Sequence, residues 1–289
     1  MRFFINSQTR ILLHGIHTLI GQSLINTYSS HGINIVGGVE AGTGGGWGAE
    51  GRIPIFDSVN SGKKATSADA VVICVAPQFG YEAILESVNE EINTIVCLTG
   101  GLPVNDLSKI RSLLRMKDIH FIGPQSFGII SPGSFVLGSP VWNRSRKGHV
   151  GLIARSESLA LETTLLLAEN GLGISTAVGL SRYGDVGIDL LEMLTRFDQD
   201  PETTCIAVIE NARTEYNEET REFIADTLSK PIVAYLPGKN NPTEEKNSYA
   251  GLKANLSFQY YQSKVEEIRN AGIPLVDNLF GINDFLVNL

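Results

Sequence analysis

A chain of 289 residues, 43% hydrophobic and 19% charged, is long enough for two ordinary globular domains with buried cores. A formal net charge of −8 argues against nucleic acid or an anionic membrane surface as the main partner. Three cysteines without a C-x-x-C pair (Cys74, Cys97, Cys205), five scattered histidines and no apolar run of membrane-spanning length speak against a disulfide scaffold, a metal cluster and a membrane span.

The opening stretch Met1-Arg2-Phe3-Phe4-Ile5-Asn6 is too short, and too polar afterwards, for a signal peptide. A cytoplasmic protein with reduced thiols is expected. The first element is a strand over 11–14 that runs into Gly15-Ile16-His17-Thr18-Leu19-Ile20-Gly21, with a helix over 21–30. Gly15 permits a tight turn off the strand end, and Gly21 lets the helix start pack close to it. The helix N-terminus then offers unpaired N–H groups and a positive dipole to a phosphate. The spacing is G-x-x-x-x-x-G rather than the dinucleotide fingerprint G-x-G-x-x-G, so a plain strand-to-helix turn is the competing reading.

A strand over 33–36 feeds Gly37-Gly38-Val39-Glu40-Ala41-Gly42-Thr43-Gly44-Gly45-Gly46, whose six glycines suit a backbone lying flat against a ligand. Strands over 70–75, 94–98 and 120–122 follow, with helices over 80–90 and 105–115. The turns Ala76-Pro77-Gln78-Phe79, Thr99-Gly100-Gly101 and Gly123-Pro124-Gln125-Ser126 all fall at strand carboxyl ends. Together they make one binding rim of a doubly wound parallel sheet. A polar connection over 134–147 marks a boundary between domains 1–145 and 146–289.

The βαβ pattern then restarts. Strands are expected over 150–154, 174–178, 205–209, 232–235 and 274–276, with helices over 159–170, 188–196, 217–229 and 258–271. Ser156 reads as an N-cap, and Glu157 suits the positive end of the helix dipole.

The ordered set Gly37-Gly38-Val39-x-x-Gly42-x-Gly44-Gly45, Ile122-Gly123-Pro124, Val150-Gly151-x-x-x-Arg155-Ser156, Ile188-Asp189-x-Leu191-Glu192, Asp200-Pro201-x-Thr203, Lys230-Pro231 and Ala250-Gly251 resembles the alpha subunit of succinyl-CoA synthetase. More widely it is similar to the NDP-forming acyl-CoA ligases and ATP-citrate lyase. The resemblance runs almost end to end. It implies an N-terminal CoA-binding Rossmann-like domain and a C-terminal flavodoxin-like ligase domain. It also implies a small carboxylic acid substrate and a beta-type partner of ATP-grasp fold that carries ATP or GTP with Mg. The CoA contacts it implies fall on Gly15, His17, Thr18, Leu19, Ile20, Gly21, Val39, Thr43, Ala76, Pro77, Gln78, Thr99, Gly100, Gln125 and Ser126. The phosphate loop falls on Arg155, Ser156 and Glu157.

The departures are as informative. The family's phosphohistidine loop reads Asn247-Ser248-Tyr249-Ala250-Gly251 here, so Tyr249 replaces the histidine that relays the phosphoryl group. A phenol of pKa about 10 is a poor nucleophile at neutral pH. No histidine follows His149. The family's acidic partner of that histidine matches Glu210, with altered flanking residues. Glu157 places a carboxylate where phosphate would sit, Thr43 replaces a lysine, and Leu19 and Ile20 bring no phosphate-binding side chain. Three readings follow: a ligase subunit without the phosphohistidine relay, a non-catalytic CoA- or nucleotide-binding subunit, and a ligase that borrows a histidine from another chain.

Overall fold

A parallel strand covered by helices on both faces has no polar side, and the strands here are near-continuous apolar runs such as Ala70–Ile73 and Thr94–Cys97, every residue of which is buried. The computed structural model describes residues 5–6, 8–184, 186–239 and 254–289. By contact the chain divides into one unit of Met1–Arg144 with Val178–Asp189 and another of Ser145–Ala177 with Leu190–Leu289.

The first unit runs β1 (Ile11–His14), α1 (Leu19–Ser30), β2 (Ile35–Val39), β3 (Trp47–Gly48), β4 (Ile53–Phe56), α2 (Val59–Thr66) and β5 (Ala70–Ile73). Then come α3 (Gly80–Asn89), β6 (Thr94–Cys97), α4 (Val104–Leu114), β7 (His120–Ile122) and an antiparallel hairpin of β8 (Gly128–Ser131) and β9 (Phe135–Gly138). The main sheet has the order β3-β4-β2-β1-β5-β6-β7. All its pairs are parallel except β3 with β4. Without that short edge strand the order is that of a dinucleotide-binding doubly wound sheet, which reverses between β1 and β5.

The second unit carries β10 (Lys147–Ala154), α5 (Glu157–Glu169), all but the last two residues of β11 (Ile174–Gly179), α6 (Leu190–Gln199), β12 (Cys205–Ile209), α7 (Glu218–Glu222), β13 (Ile232–Tyr235), α8 (Ala254–Asn270), β14 (Leu275–Val276) and α9 (Leu279–Val287). Its strands run β14-β13-β12-β10-β11. This is the flavodoxin order, with the reversal between β10 and β12.

The expected fold class therefore stands, and several element bounds move. The strand expected over 33–36 is Ile35–Val39, so Gly37 and Gly38 lie inside it rather than in a loop. A Cβ at Gly37 would meet Phe56 at 2.6 Å and one at Gly38 would meet Ile16 at 2.4 Å, so packing demands glycine there. Elements β3, β4 and α2 occupy what composition presented as a glycine loop and its sequel, and α9 closes a stretch left without an element. Helix α1 starts at Leu19, two residues before Gly21, because Thr18 caps it. The single helix expected over 217–229 is the short α7 followed by a π-helical turn, Phe223–Thr227.

Candidate functional site

Ligands of doubly wound sheets bind outside the strand carboxyl ends where the order reverses. In the first unit that point lies between the ends of β1 and β5, and the chain builds it from backbone. Gly15 has φ +96°, a conformation that favours glycine, and a Cβ there would lie 3.0 Å from the Cys74 carbonyl. Gly21 must lack a side chain, since its Cβ would fall 2.3 Å from the Gly15 oxygen. The Thr18 hydroxyl donates to the Gly15 carbonyl at 2.8 Å and accepts from the Gly21 N–H at 3.0 Å. The amides of Leu19 and Ile20 head α1 with no acceptor among the described residues, and both side chains face solvent.

The rim continues strand by strand. Ala76 leads into a 3-10 turn, Pro77–Phe79, with Gln78 exposed. The Thr99 hydroxyl donates to the Val75 carbonyl at 2.9 Å, and the Gln125 N–H donates to the Thr99 carbonyl at 3.0 Å. The Gln125 side chain lies against Gly100. The structure thus brings Gly15–Gly21, Ala76–Gln78, Thr99–Gly100 and Gln125 along one edge of one sheet.

Two expected contact residues are turned inward. Val39 is fully buried, so it supports the crevice floor rather than offering a side chain. Ser126 is buried, donates to the Gly179 carbonyl at 2.6 Å and accepts from the Gly128 N–H at 2.8 Å, which commits its hydroxyl to the fold. Thr43 closes a turn on the Glu40 carbonyl and is exposed. Sequence reading passed over Glu40 itself. The signal was present, since an acid directly follows β2, 19 positions beyond Gly21 (40 minus 21).

In the second unit the reversal point holds charges instead of glycines. Arg155 follows β10 and Glu210 follows β12. Arg155 Nε stands 3.6 Å from Glu210 Oε2, with side chains 9% and 1% exposed. Glu210 Oε2 also accepts the Asn211 N–H and the Thr214 hydroxyl, each at 3.0 Å. The buried Lys264 of α8 pairs with Glu267 Oε2 at 2.7 Å and lies 3.4 Å from the centre of the Tyr216 ring.

Burial pushes the Glu210 carboxyl up. The charges of Lys264 and Arg155, helped by the two hydrogen bonds, outweigh it and hold the group below the ordinary value. Burial first, and the Glu210 charge second, push the Tyr216 phenol well up. An open cleft of about 480 Å³ beside this cluster is lined by Arg213, Arg221 and Lys264 and by Glu215, Glu266 and Glu267. The formal charges of these six residues cancel.

Ser156 occupies the N-cap position of α5, yet its side chain makes no capping hydrogen bond, and Glu157 is exposed in the first turn. Tyr249 lies outside the described residues. Among the described residues no helix is long and apolar enough to cross a membrane.

A Rossmann-order unit with a glycine-built crevice, followed by a flavodoxin-order unit, defines the two-domain architecture of CoA ligases. The CoA binding domain model matches residues 6–101, and the succinyl-CoA ligase like flavodoxin domain model matches 147–285. The chain is 30% identical to the succinate–CoA ligase [ADP-forming] subunit alpha of Aquifex aeolicus over 96% of its own length and 91% of that protein. It is 31% identical to the malate–CoA ligase subunit alpha of Methylorubrum extorquens over 95% and 94%. It belongs to the family of succinate–CoA ligase alpha subunits. In fold it matches ATP citrate lyase from Methanothrix soehngenii, solved with citrate and coenzyme A, at TM-score 0.80 and 21% identity, covering 99% of this chain. It spans about half of that lyase chain, 51%.

Proposed function

We propose that the chain is the alpha-type subunit of an acid–CoA ligase that holds CoA in the first-unit crevice. It acts with an ATP-grasp beta-type partner that binds ATP or GTP with Mg and activates a small carboxylic acid. The observation that carries this reading is the continuous rim from Gly15 to Gln125, set at the sheet's reversal point and headed by the open amides of Leu19 and Ile20. Those amides and the α1 dipole suit a pyrophosphate, and Gly15 and Gly21 let it approach the backbone. CoA supplies the thiol that displaces phosphate or AMP from an acyl phosphate or acyl adenylate made by the partner.

The phosphohistidine relay is absent in this proposal. Tyr249 stands at its position. Glu210 has Arg155, Thr214 and the Asn211 N–H as internal partners, and Glu157 opposes an incoming phosphate. The test mixes the chain with an ATP-grasp partner, CoA, acid and γ-labelled nucleotide. Release of ADP or AMP that depends on both CoA and acid, with no label on Tyr249, is expected; label on Tyr249 during turnover overturns the lost-relay claim.

A second reading, a non-catalytic CoA-binding subunit, is favoured by the commitment of Glu210 Oε2 to Arg155, Thr214 and the Asn211 N–H. CoA binding without nucleotide turnover would select it. Turnover abolished when a histidine of the partner is replaced would select a ligase that borrows its relay.

A further inference from the structure

We infer that Glu40 makes the first-unit crevice favour an adenosine ribose with both hydroxyls free, so that it holds CoA more weakly than the same coenzyme without the 3′-phosphate. This rests on the proposed use of that crevice for an adenosine-terminated coenzyme and names which form it takes.

The carrying residue is Glu40. It stands at the carboxyl end of β2, beside β1, where a dinucleotide-binding sheet places the acid that accepts hydrogen bonds from a ribose diol. Its backbone is held on both sides. The Glu40 N–H donates to the Phe56 carbonyl at 2.9 Å, and its own carbonyl accepts from the Thr43 N–H at 3.3 Å and the Thr43 hydroxyl at 3.1 Å. Its Oε2 is shielded from solvent and receives no hydrogen bond. The side chain as a whole is 34% exposed, so the carboxylate is open to a ligand on its other side, and a ribose hydroxyl is a donor of the right kind for it.

The surroundings carry the same sign. Asp57 takes the Gly44 N–H at 2.8 Å and lies against that glycine, so a second carboxylate holds the Gly42–Gly46 loop from behind. Residues 37–46 contain neither lysine nor arginine. Arg52, the first arginine after them, donates its Nε–H to the Ala49 carbonyl at 3.0 Å. The neighbouring cation-former is His17, whose Nδ1 stands 4.0 Å from Glu40 Oε2. A dianionic phosphate on the ribose 3′ oxygen would meet the Glu40 carboxylate at close range, whereas a free hydroxyl there would donate to it. Rejection by like charge is the device that separates the two ligands.

Dephospho-CoA and NAD share the free diol and differ in the other arm. Calorimetric titration of the full chain with CoA, dephospho-CoA and NAD, repeated on Glu40→Gln and Glu40→Lys, separates the cases. The wild-type chain is expected to bind dephospho-CoA about tenfold or more tightly than CoA, with Glu40→Gln narrowing the ratio and Glu40→Lys inverting it. Unchanged circular dichroism and melting of the variants keep the comparison on binding. Dephospho-CoA without NAD binding would show that the pantetheine arm is also read. NAD without dephospho-CoA binding would uphold the diol inference and remove the ligase reading. CoA binding as tightly as dephospho-CoA, or tighter, overturns the inference and leaves the ligase reading intact. Binding of none of the three overturns both.

Discussion

The two units present the same topological place, the reversal point of a parallel sheet, and furnish it in opposite ways. In the first unit, Gly15 and Gly21 leave backbone amides open on a rim that also carries the acid Glu40. In the second, Arg155 with Glu210 and Lys264 with Glu267 set charges against each other beside the Tyr216 ring. A backbone-built site needs no particular side chain to greet a phosphate, so Thr43 in place of the lysine that the resemblance implies does not by itself remove it. A side-chain site is decided by each ionisable group, and here Arg155 and Glu210 pair with each other. Fold-level likeness therefore supports ligand binding in the first unit more strongly than phosphoryl relay in the second.

The sharpest way to break the contrast is Glu210→Ala. It strands buried cationic charge and should lower unfolding free energy by about 3–5 kcal/mol in urea titrations. Because the folded carboxyl sits below its ordinary 4.5, this stabilisation is full above about pH 4.5 and is lost as pH falls through the folded value. A wild-type acid-unfolding curve that coincides with that of Glu210→Gln would show that the cluster is not an ion pair.

On the first unit, Gly21→Ala drives a Cβ into the Gly15 carbonyl. It should destabilise by about 1–3 kcal/mol and weaken coenzyme binding, read by calorimetry on the folded fraction.

His14, at the end of β1, is held by burial at a pKa of about 4, against an ordinary 6.5. Its folded pKa is depressed, so the unfolded chain gains the proton first as pH falls. Stability is then present above pH 6.5 and is lost toward pH 4. Between pH 7 and pH 5 the loss from this group is about 2 kcal/mol, and His14→Gln should flatten that part of the stability profile.

The smallest effects compare the two helix starts. Thr18→Ala removes a working cap from α1 and should cost about 1 kcal/mol. Ser156→Ala removes a hydroxyl that caps nothing and should stay within about 0.5 kcal/mol. Equal losses at the two positions would mean that Ser156 caps α5 in solution.

Much of the fold was legible before the structure. The strands Ile11–His14, His120–Ile122, Cys205–Ile209 and Ile232–Tyr235 fall on the apolar runs that mark them, because a strand buried on both faces favours apolar side chains. Residues 47–66 were opaque. Their short strands and α2 depend on Phe56 and Leu12 packing over Gly37, a contact between segments that no local pattern announces. In the site, the glycine turns were readable because a positive φ and a close backbone approach both demand the missing side chain. The inward turn of Val39 and Ser126 was not, since a residue's position along a strand end does not say which side of the sheet it serves.

The amino-acid order by itself determined the alternation of strands and helices and the glycine turns at their carboxyl ends. These follow from local sterics, hydrophobic period and residue chemistry, which need no distant neighbour. Only the tertiary structure decided that the Glu40 side chain stays 34% exposed beside His17, while Glu210 is 1% exposed with Arg155 and Thr214 on one of its oxygens. The strength of a carboxylate as acceptor or ion is set by burial and by what stands within a few ångströms. Those neighbours come from strands and helices far apart in the chain.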